Sequence, residues 1–171
     1  MRFSGKFSRL SKTAVLVAVG IILWVFEELI PHPIPFVRLG LGNIVTLIAL
    51  ETLGFPSAFM VAALRTFLGA LILGRLFSPN FWFSFSGGIV SVIVMAMFFR
   101  FRSLFSIVGV SIAGAFAHTL TQLIVAAMTF YSFRIVIQFL PLLGISSVIA
   151  GIIIGFIASY VVNAIEHDRD R

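Results

Sequence analysis

Apolar stretches long enough to cross a membrane follow one another through almost the whole sequence. About six can be drawn, near residues 13–30, 39–53, 57–77, 81–99, 104–130 and 134–164. Because a bilayer core takes about 20 apolar residues per helix, six such helices use most of the 171 residues. The sequence therefore predicts an all-α integral membrane protein with a single transmembrane domain over residues 1–171. The second stretch is short, which favours a tilted or partly buried helix.

The composition supports a membrane protein rather than a soluble one. Charged residues make up 11% of the chain, against about 25% in a typical soluble domain. The absence of cysteine excludes disulfides and thiolate metal sites. The first apolar run contains Glu27 and lacks a small-residue cleavage motif, so we expect a retained helix rather than a signal peptide.

Basic residues are distributed unevenly between the two ends of the predicted helices. Eight would lie on the side of the N-terminus: Arg2, Lys6, Arg9, Lys12, Arg100, Arg102, Arg169 and Arg171. Only three would lie on the other side: Arg38, Arg75 and Arg134. The positive-inside rule then predicts that both termini, including the basic segment 1–12 and the charged tail 165–171, are cytoplasmic. This places the chain in the inner (cytoplasmic) membrane, and it explains the net charge of +6 without a nucleic-acid partner.

The few polar groups inside the apolar stretches gather toward the outer side. At about 1.5 Å per helical residue, one outer cluster would hold the candidate substrate-binding residues Glu27, Arg38, Asn43, Thr46, Arg65, His118 and Gln122. A charge at a helix centre costs about 2.5–3.5 kcal/mol or more, so such residues tend to be kept for function. His118 and Gln122 are four residues apart and share a helix face.

The three outer arginines, Arg38, Arg75 and Arg134, run against the positive-inside trend and together favour an anionic ligand, because a guanidinium binds phosphate or carboxylate through two parallel hydrogen bonds. Structural roles explain the same residues as well. Glu27 and Arg65 could form an ion pair, Asn43 and His118 could bond neighbouring helices, and Arg38 could anchor lipid headgroups. Both interpretations remain open from the residues alone.

The sequence predicts no enzyme activity, cofactor or metal site. The only aspartates are Asp168 and Asp170, so the D-D-x-x-D motif that binds a diphosphate through magnesium is missing. Walker A, GxGxxG and HExxH patterns are missing too.

Small residues recur at four-residue spacing, which lets helix backbones approach closely. Gly109, Ala113 and Ala117 form one such row, and Gly151, Gly155 and Ser159 form another. We expect these two rows to pack helices against each other. A third pair, Ala14 and Ala18, could pack internally or face another protein.

The segment Arg38-Leu39-Gly40-Leu41-Gly42-Asn43-Ile44-Val45-Thr46-Leu47 resembles the hallmark of a bacterial membrane family. This is the heptaprenyl diphosphate synthase component I family, also called the Gx transporter family. Further matching stretches are Leu64-Arg65, Leu68-Gly69, Ser86-Gly87-Gly88, His118 with Gln122, and Leu140-Pro141. The chain departs from the family pattern at Gly42, where alanine is more usual, and at Thr119, where asparagine is.

This family is similar to the substrate-binding S-components of energy-coupling-factor (ECF) vitamin transporters. Those proteins have six helices, cytoplasmic termini and a ligand pocket near the outer face. They dock through small residues of the first helix onto a transmembrane subunit driven by two ATPases. The resemblance therefore implies an S-component-like bundle in membrane lipid, docked through Ala14 and Ala18. It also implies a small anionic solute, related to an isoprenoid diphosphate.

Two other functions stay open. The chain could be a noncatalytic accessory subunit of heptaprenyl diphosphate synthesis. It could also be a membrane subunit of a flavin- or quinone-linked redox system.

Overall fold

Six α-helices make up the part of the chain that the structure describes. A computed structural model describes residues 2–29 and 40–169. The helices are α1 (Arg2–Leu29), α2 (Gly42–Leu53), α3 (Phe55–Ile72), α4 (Pro79–Phe99), α5 (Ile107–Thr129) and α6 (Arg134–Arg169). All except α2 are long and apolar enough to cross a membrane, which confirms the predicted all-α fold of a multi-pass membrane protein.

Local sequence signals set where several helices begin and end. Ser78 caps α4 by accepting a hydrogen bond from the Phe81 N–H, and Pro79 follows it in the first turn. Ser106 caps α5 in the same way. α3 ends at Ile72, earlier than the predicted residue 77. The reason is a turn in which Gly74 takes a φ of +64°, a conformation that glycine adopts at little cost.

The shortest helix, α2, occupies the centre of the bundle. The longer helices contact one another in the order α1, α3, α4, α5 and α6. α2 contacts both the first and the last of this series, α1 and α6. Every residue from Gly42 to Leu50 is buried. A helix of 12 residues is only about 18 Å long at 1.5 Å per residue. α2 is thus a buried helix packed against four of the longer helices, α1, α3, α4 and α6, rather than a lipid-facing span.

Glycines on α6 bring it against α5 at backbone distance. A Cβ added at Gly151 would lie 2.7 Å from the Ile112 Cα, and one at Gly155 would lie 2.7 Å from the Val108 Cα. Gly109, in contrast, faces only the Phe105 and Ser106 side chains at 3.6 Å or more. The α6 row therefore packs as predicted, whereas Gly109 of the α5 row lies off the interface.

Polar contacts tie the helices together at the end of the bundle where α2 finishes. Arg9 of α1 donates hydrogen bonds to the Leu53 carbonyl and to the Ser57 hydroxyl. Arg102, between α4 and α5, forms a 2.9 Å ion pair with Glu51, whose side chain is only 2% exposed. These contacts hold α1, α2 and the α4–α5 connection together at this end.

Gly151→Ala should destabilise the protein by about 1–3 kcal/mol, because the added methyl meets backbone that cannot rotate away. Thermal unfolding in mild detergent measures the effect. Gly109→Ala adds the same methyl to the facing helix at ordinary contact distance and should leave the midpoint unchanged or raise it. Equal midpoints for the two variants would contradict the close α5–α6 contact.

Candidate functional site

A small polar cavity lies at the end of the bundle that carries the C-terminus of α1. Its walls come from four helices and from the residue two positions before α2: Trp24, Glu27, Gly40, Arg65, Ser84 and His118. The cavity volume is about 10 Å³, room for about one water molecule, against about 300–1,000 Å³ for pockets that hold drug-sized ligands. The walls must therefore move apart before the cavity can take a charged head group.

Arg65 is the cation of this site. It lies on α3, is only 3% exposed, and its Nη2 donates a 2.9 Å hydrogen bond to Asn43 Oδ1 on α2. Its aliphatic stem passes against α1, where a Cβ at Gly20 would lie 3.2 Å from the Arg65 Cβ. Burying a guanidinium is costly unless polar partners surround it, and the amide of Asn43 is one such partner.

Glu27 supplies a carboxylate to the same cavity. It is buried on α1, and its Oε1 accepts a 2.5 Å hydrogen bond from the Gly40 N–H. This bond ties the chain just before α2 to the end of α1. Because Glu27 and Arg65 line the same cavity, the site carries both signs of charge.

Trp24 shares the buried face of α1 with Glu27, since the two residues are three positions apart. Gly69 of α3 makes room for its indole, because a Cβ there would come within 2.6 Å of Trp24 Cε3. Trp24 also packs with Ala70 and Phe81 in a small apolar cluster. The indole therefore forms an apolar wall beside the charged groups.

His118 and Gln122 are both buried on α5, on the shared face that their spacing predicts. His118 lines the cavity. Gly87 of α4 accommodates the ring, because a Cβ at that position would lie 3.1 Å from His118 Cε1 and Nδ1. Gln122 is not among the residues that line the cavity.

The other predicted residues support Arg65, bond within their own helix, lie outside the described residues, or are exposed on α1. Asn43 holds Arg65, as described above. Thr46 is fully buried, and its hydroxyl donates to the Gly42 carbonyl of its own helix. Arg38 lies outside the described residues. Ala14 and Ala18 are exposed on α1, away from the buried face that carries Trp24 and Glu27.

Three lining residues, Trp24, Gly40 and Ser84, were not among the predicted site residues, although Gly40 belongs to the segment that carries the family resemblance. Trp24 was a detectable candidate, because it lies one helical turn before Glu27. Ser84 lies three residues before Gly87 on the same face of α4, but small hydroxyl residues are common in membrane helices and carry little signal. Within the described residues, no three His, Asp or Glu side chains are grouped to hold a metal ion.

The profile of one protein family, described as heptaprenyl diphosphate synthase component I, matches residues 16–161. The chain belongs to this family. The match includes all the elements that form the cavity and confirms the resemblance seen in the sequence. No curated protein matches the chain, and no solved structure matches it.

Asn43→Ala should lower the free energy of unfolding by about 1–3 kcal/mol, since the buried Arg65 loses a hydrogen-bond acceptor. Thr46→Val is the matched control on the same buried helix, because the Thr46 hydroxyl bonds only within α2 and its removal should cost less than about 1 kcal/mol. Unfolding midpoints in detergent compare the two. An equal loss in both variants would show that the Arg65–Asn43 hydrogen bond stabilises the fold no more than the Thr46 hydroxyl does.

Proposed function

We propose that this member of the heptaprenyl diphosphate synthase component I family is a substrate-binding membrane subunit of an ECF-type transporter. Its ligand is a small anionic solute. The proposal rests on one observation above all, the buried Arg65 on the wall of a cavity in an otherwise apolar bundle. An ionisable group placed there is costly and is usually kept for function. The chain itself carries out no reaction, and ATP hydrolysis in partner subunits powers the transport.

The cavity's chemistry supports an anion with several oxygen atoms. Arg65 offers guanidinium donors, and the N-terminal end of α2 adds the positive end of a helix dipole nearby. His118 adds an imidazole on another wall. Glu27 balances the charge while no ligand is bound and holds the Gly40 N–H. Arg38 belongs to the same ligand-binding set in this proposal.

An isoprenoid-related diphosphate is the ligand class that we favour. The family name refers to heptaprenyl diphosphate, and a diphosphate carries the charge that guanidinium binds best. With both termini in the cytoplasm, as the basic residues predict, the cavity would open toward the outside of the cytoplasmic membrane.

A second function is favoured by the family name alone. "Component I" implies a further synthase component, so the chain could be a noncatalytic membrane subunit that supports a prenyltransferase. Co-purification of that enzyme, and its stimulation by the purified chain, are the observations that this function requires. The transporter function requires neither.

Arg65→Ala should remove the bound solute. Mass spectrometry of small molecules released from protein purified in mild detergent should find a stoichiometric phosphorylated or carboxylated compound in the unmodified protein. The variant should retain less than about a tenth of it, since loss of a buried charged hydrogen bond costs about 1.5–3 kcal/mol. Arg100→Ala, at the exposed end of α4, is the control and should retain the compound. Ligand-free unmodified protein that binds a prenyltransferase would favour the accessory function instead.

Ala14→Leu combined with Ala18→Leu should abolish assembly with the transmembrane subunit and ATPases while sparing ligand binding. Both alanines are exposed on α1, and the added bulk would separate α1 from a closely packed partner helix. Val15→Leu with Val19→Leu also enlarges exposed positions of α1 and should leave assembly intact. The readout is recovery of both partner types with the tagged chain. Recovery that survives the alanine substitutions contradicts docking at this pair.

A further inference from the structure

Gly42, the first residue of α2, lies directly against the guanidinium of Arg65. A Cβ added at this position would overlap Arg65 Nη1 and come within 2.7 Å of Arg65 Cζ. Gly88 of α4 lies on another side of the same group, but a Cβ there would stay 3.6 Å from Nη2, an ordinary contact. Of these two glycines, only Gly42 occupies a position where any side chain must displace the charge.

The atoms that a side chain at residue 42 would meet are the far end of a flexible side chain rather than backbone. Helix α2 can therefore keep its place while the guanidinium moves. The stem of Arg65 packs beside α1 at Gly20, where an added Cβ would lie 3.2 Å from the Arg65 Cβ and Cδ, so α1 limits its movement on that side. The displaced guanidinium would have to swing off α2, and the cavity that Arg65 lines is the space available to it.

We propose that Gly42 is a specificity-determining residue that sets where the Arg65 charge stands in the ligand cavity. With glycine, the guanidinium lies flush against the start of α2, bonds Asn43, and leaves the cavity for the oxygens of an anionic head group. With alanine, the guanidinium is displaced toward the cavity that it lines and takes the place that an anionic group would occupy. The ligand selected by Gly42 is thus an anion that must contact the guanidinium directly, such as a diphosphate, and this inference rests on the proposed function.

Trp24 provides a direct readout of the cavity. The chain has two tryptophans, and Trp82→Phe leaves Trp24, a lining residue, as the only one. Inorganic diphosphate is the probe, titrated into detergent-purified protein while indole fluorescence is recorded. In this background Gly42→Ala should weaken binding about tenfold or more, and Gly88→Ala should change it less than about twofold, within the usual range for coupled and uncoupled neighbours.

A double-mutant cycle tests whether Gly42 acts by positioning Arg65 or through a general effect on the fold. Lysine lacks the atom that the new methyl overlaps, so Gly42→Ala should cost less than about twofold once Arg65→Lys is present. If Gly42→Ala alone unfolds the protein, Arg65→Lys should restore its melting midpoint by removing the overlap. A penalty that is unchanged in the Arg65→Lys background, or no restoration of folding, overturns the inference.

The outcomes also distinguish this inference from the proposed function. Unmodified protein that binds diphosphate as tightly as Gly42→Ala refutes the role of Gly42 and leaves anion binding standing. Unmodified protein that fails to bind diphosphate refutes both, because the cavity then takes no such anion.

Discussion

The pocket end of this bundle is organised around one buried guanidinium. Removing a charge from water costs several kcal/mol even after the surroundings relax, so Arg65 must be matched by groups placed at fixed positions. Asn43 supplies an acceptor from α2, Gly20 lets α1 approach the stem, and Gly42 leaves the space that the guanidinium fills. The Arg65 side chain of α3 therefore sets the distances to α1 and α2 at this end of the bundle. A fourth helix, α4, contacts the same side chain at Gly88.

The central helix α2 links this charged end to a second polar layer at the other. Its first turn holds Asn43 and its last turn holds Glu51, which pairs with Arg102. One oxygen of Glu51 is buried without a hydrogen-bond partner among the described residues, so the pair is not a fully satisfied network. Between the two ends α2 is apolar and buried. Any displacement along its axis would have to break charged contacts at both ends together.

Depth along each helix could be predicted from the sequence, but rotation about each helix axis could not. Counting 1.5 Å per residue placed Glu27 and His118 toward the outer side and Arg65 near mid-depth within reach of them, and the three line one cavity. Which way a residue of α2 points depends on its neighbours, because α2 is buried from Gly42 to Leu50 and has no lipid face to orient it. Thr46 was for that reason grouped with the cavity, whereas the structure gives it a bond within its own helix. Depth was predicted only to about one helical turn, since Gln122 shares the face of His118 but lies one turn farther along α5, off the cavity wall.

The roles of individual glycines were the feature hardest to predict from the sequence. Gly42, Gly69 and Gly87 resemble any helix-packing glycines when read as letters, yet each accommodates one particular side chain of the cavity: Arg65, Trp24 and His118. A glycine's role depends on what occupies the space its missing Cβ leaves, and that information lies on another helix. Gly40, Gly54 and Gly74 all have a positive φ and act instead through their own backbone freedom, Gly74 by ending α3.

The size of the cavity constrains either function proposed for this family member. A long apolar chain does not fit in a cavity of about 10 Å³, and lipid solvates such a chain at no cost. A ligand with a charged head and an apolar tail would therefore place only its head beside Arg65, whether the chain transports that ligand or presents it to an enzyme. The two functions differ in what they require of the chain. The transporter function needs a solute bound beside Arg65 and, as we propose, partner subunits docked at Ala14 and Ala18. The accessory function needs a bound prenyltransferase and can operate without a solute in the cavity.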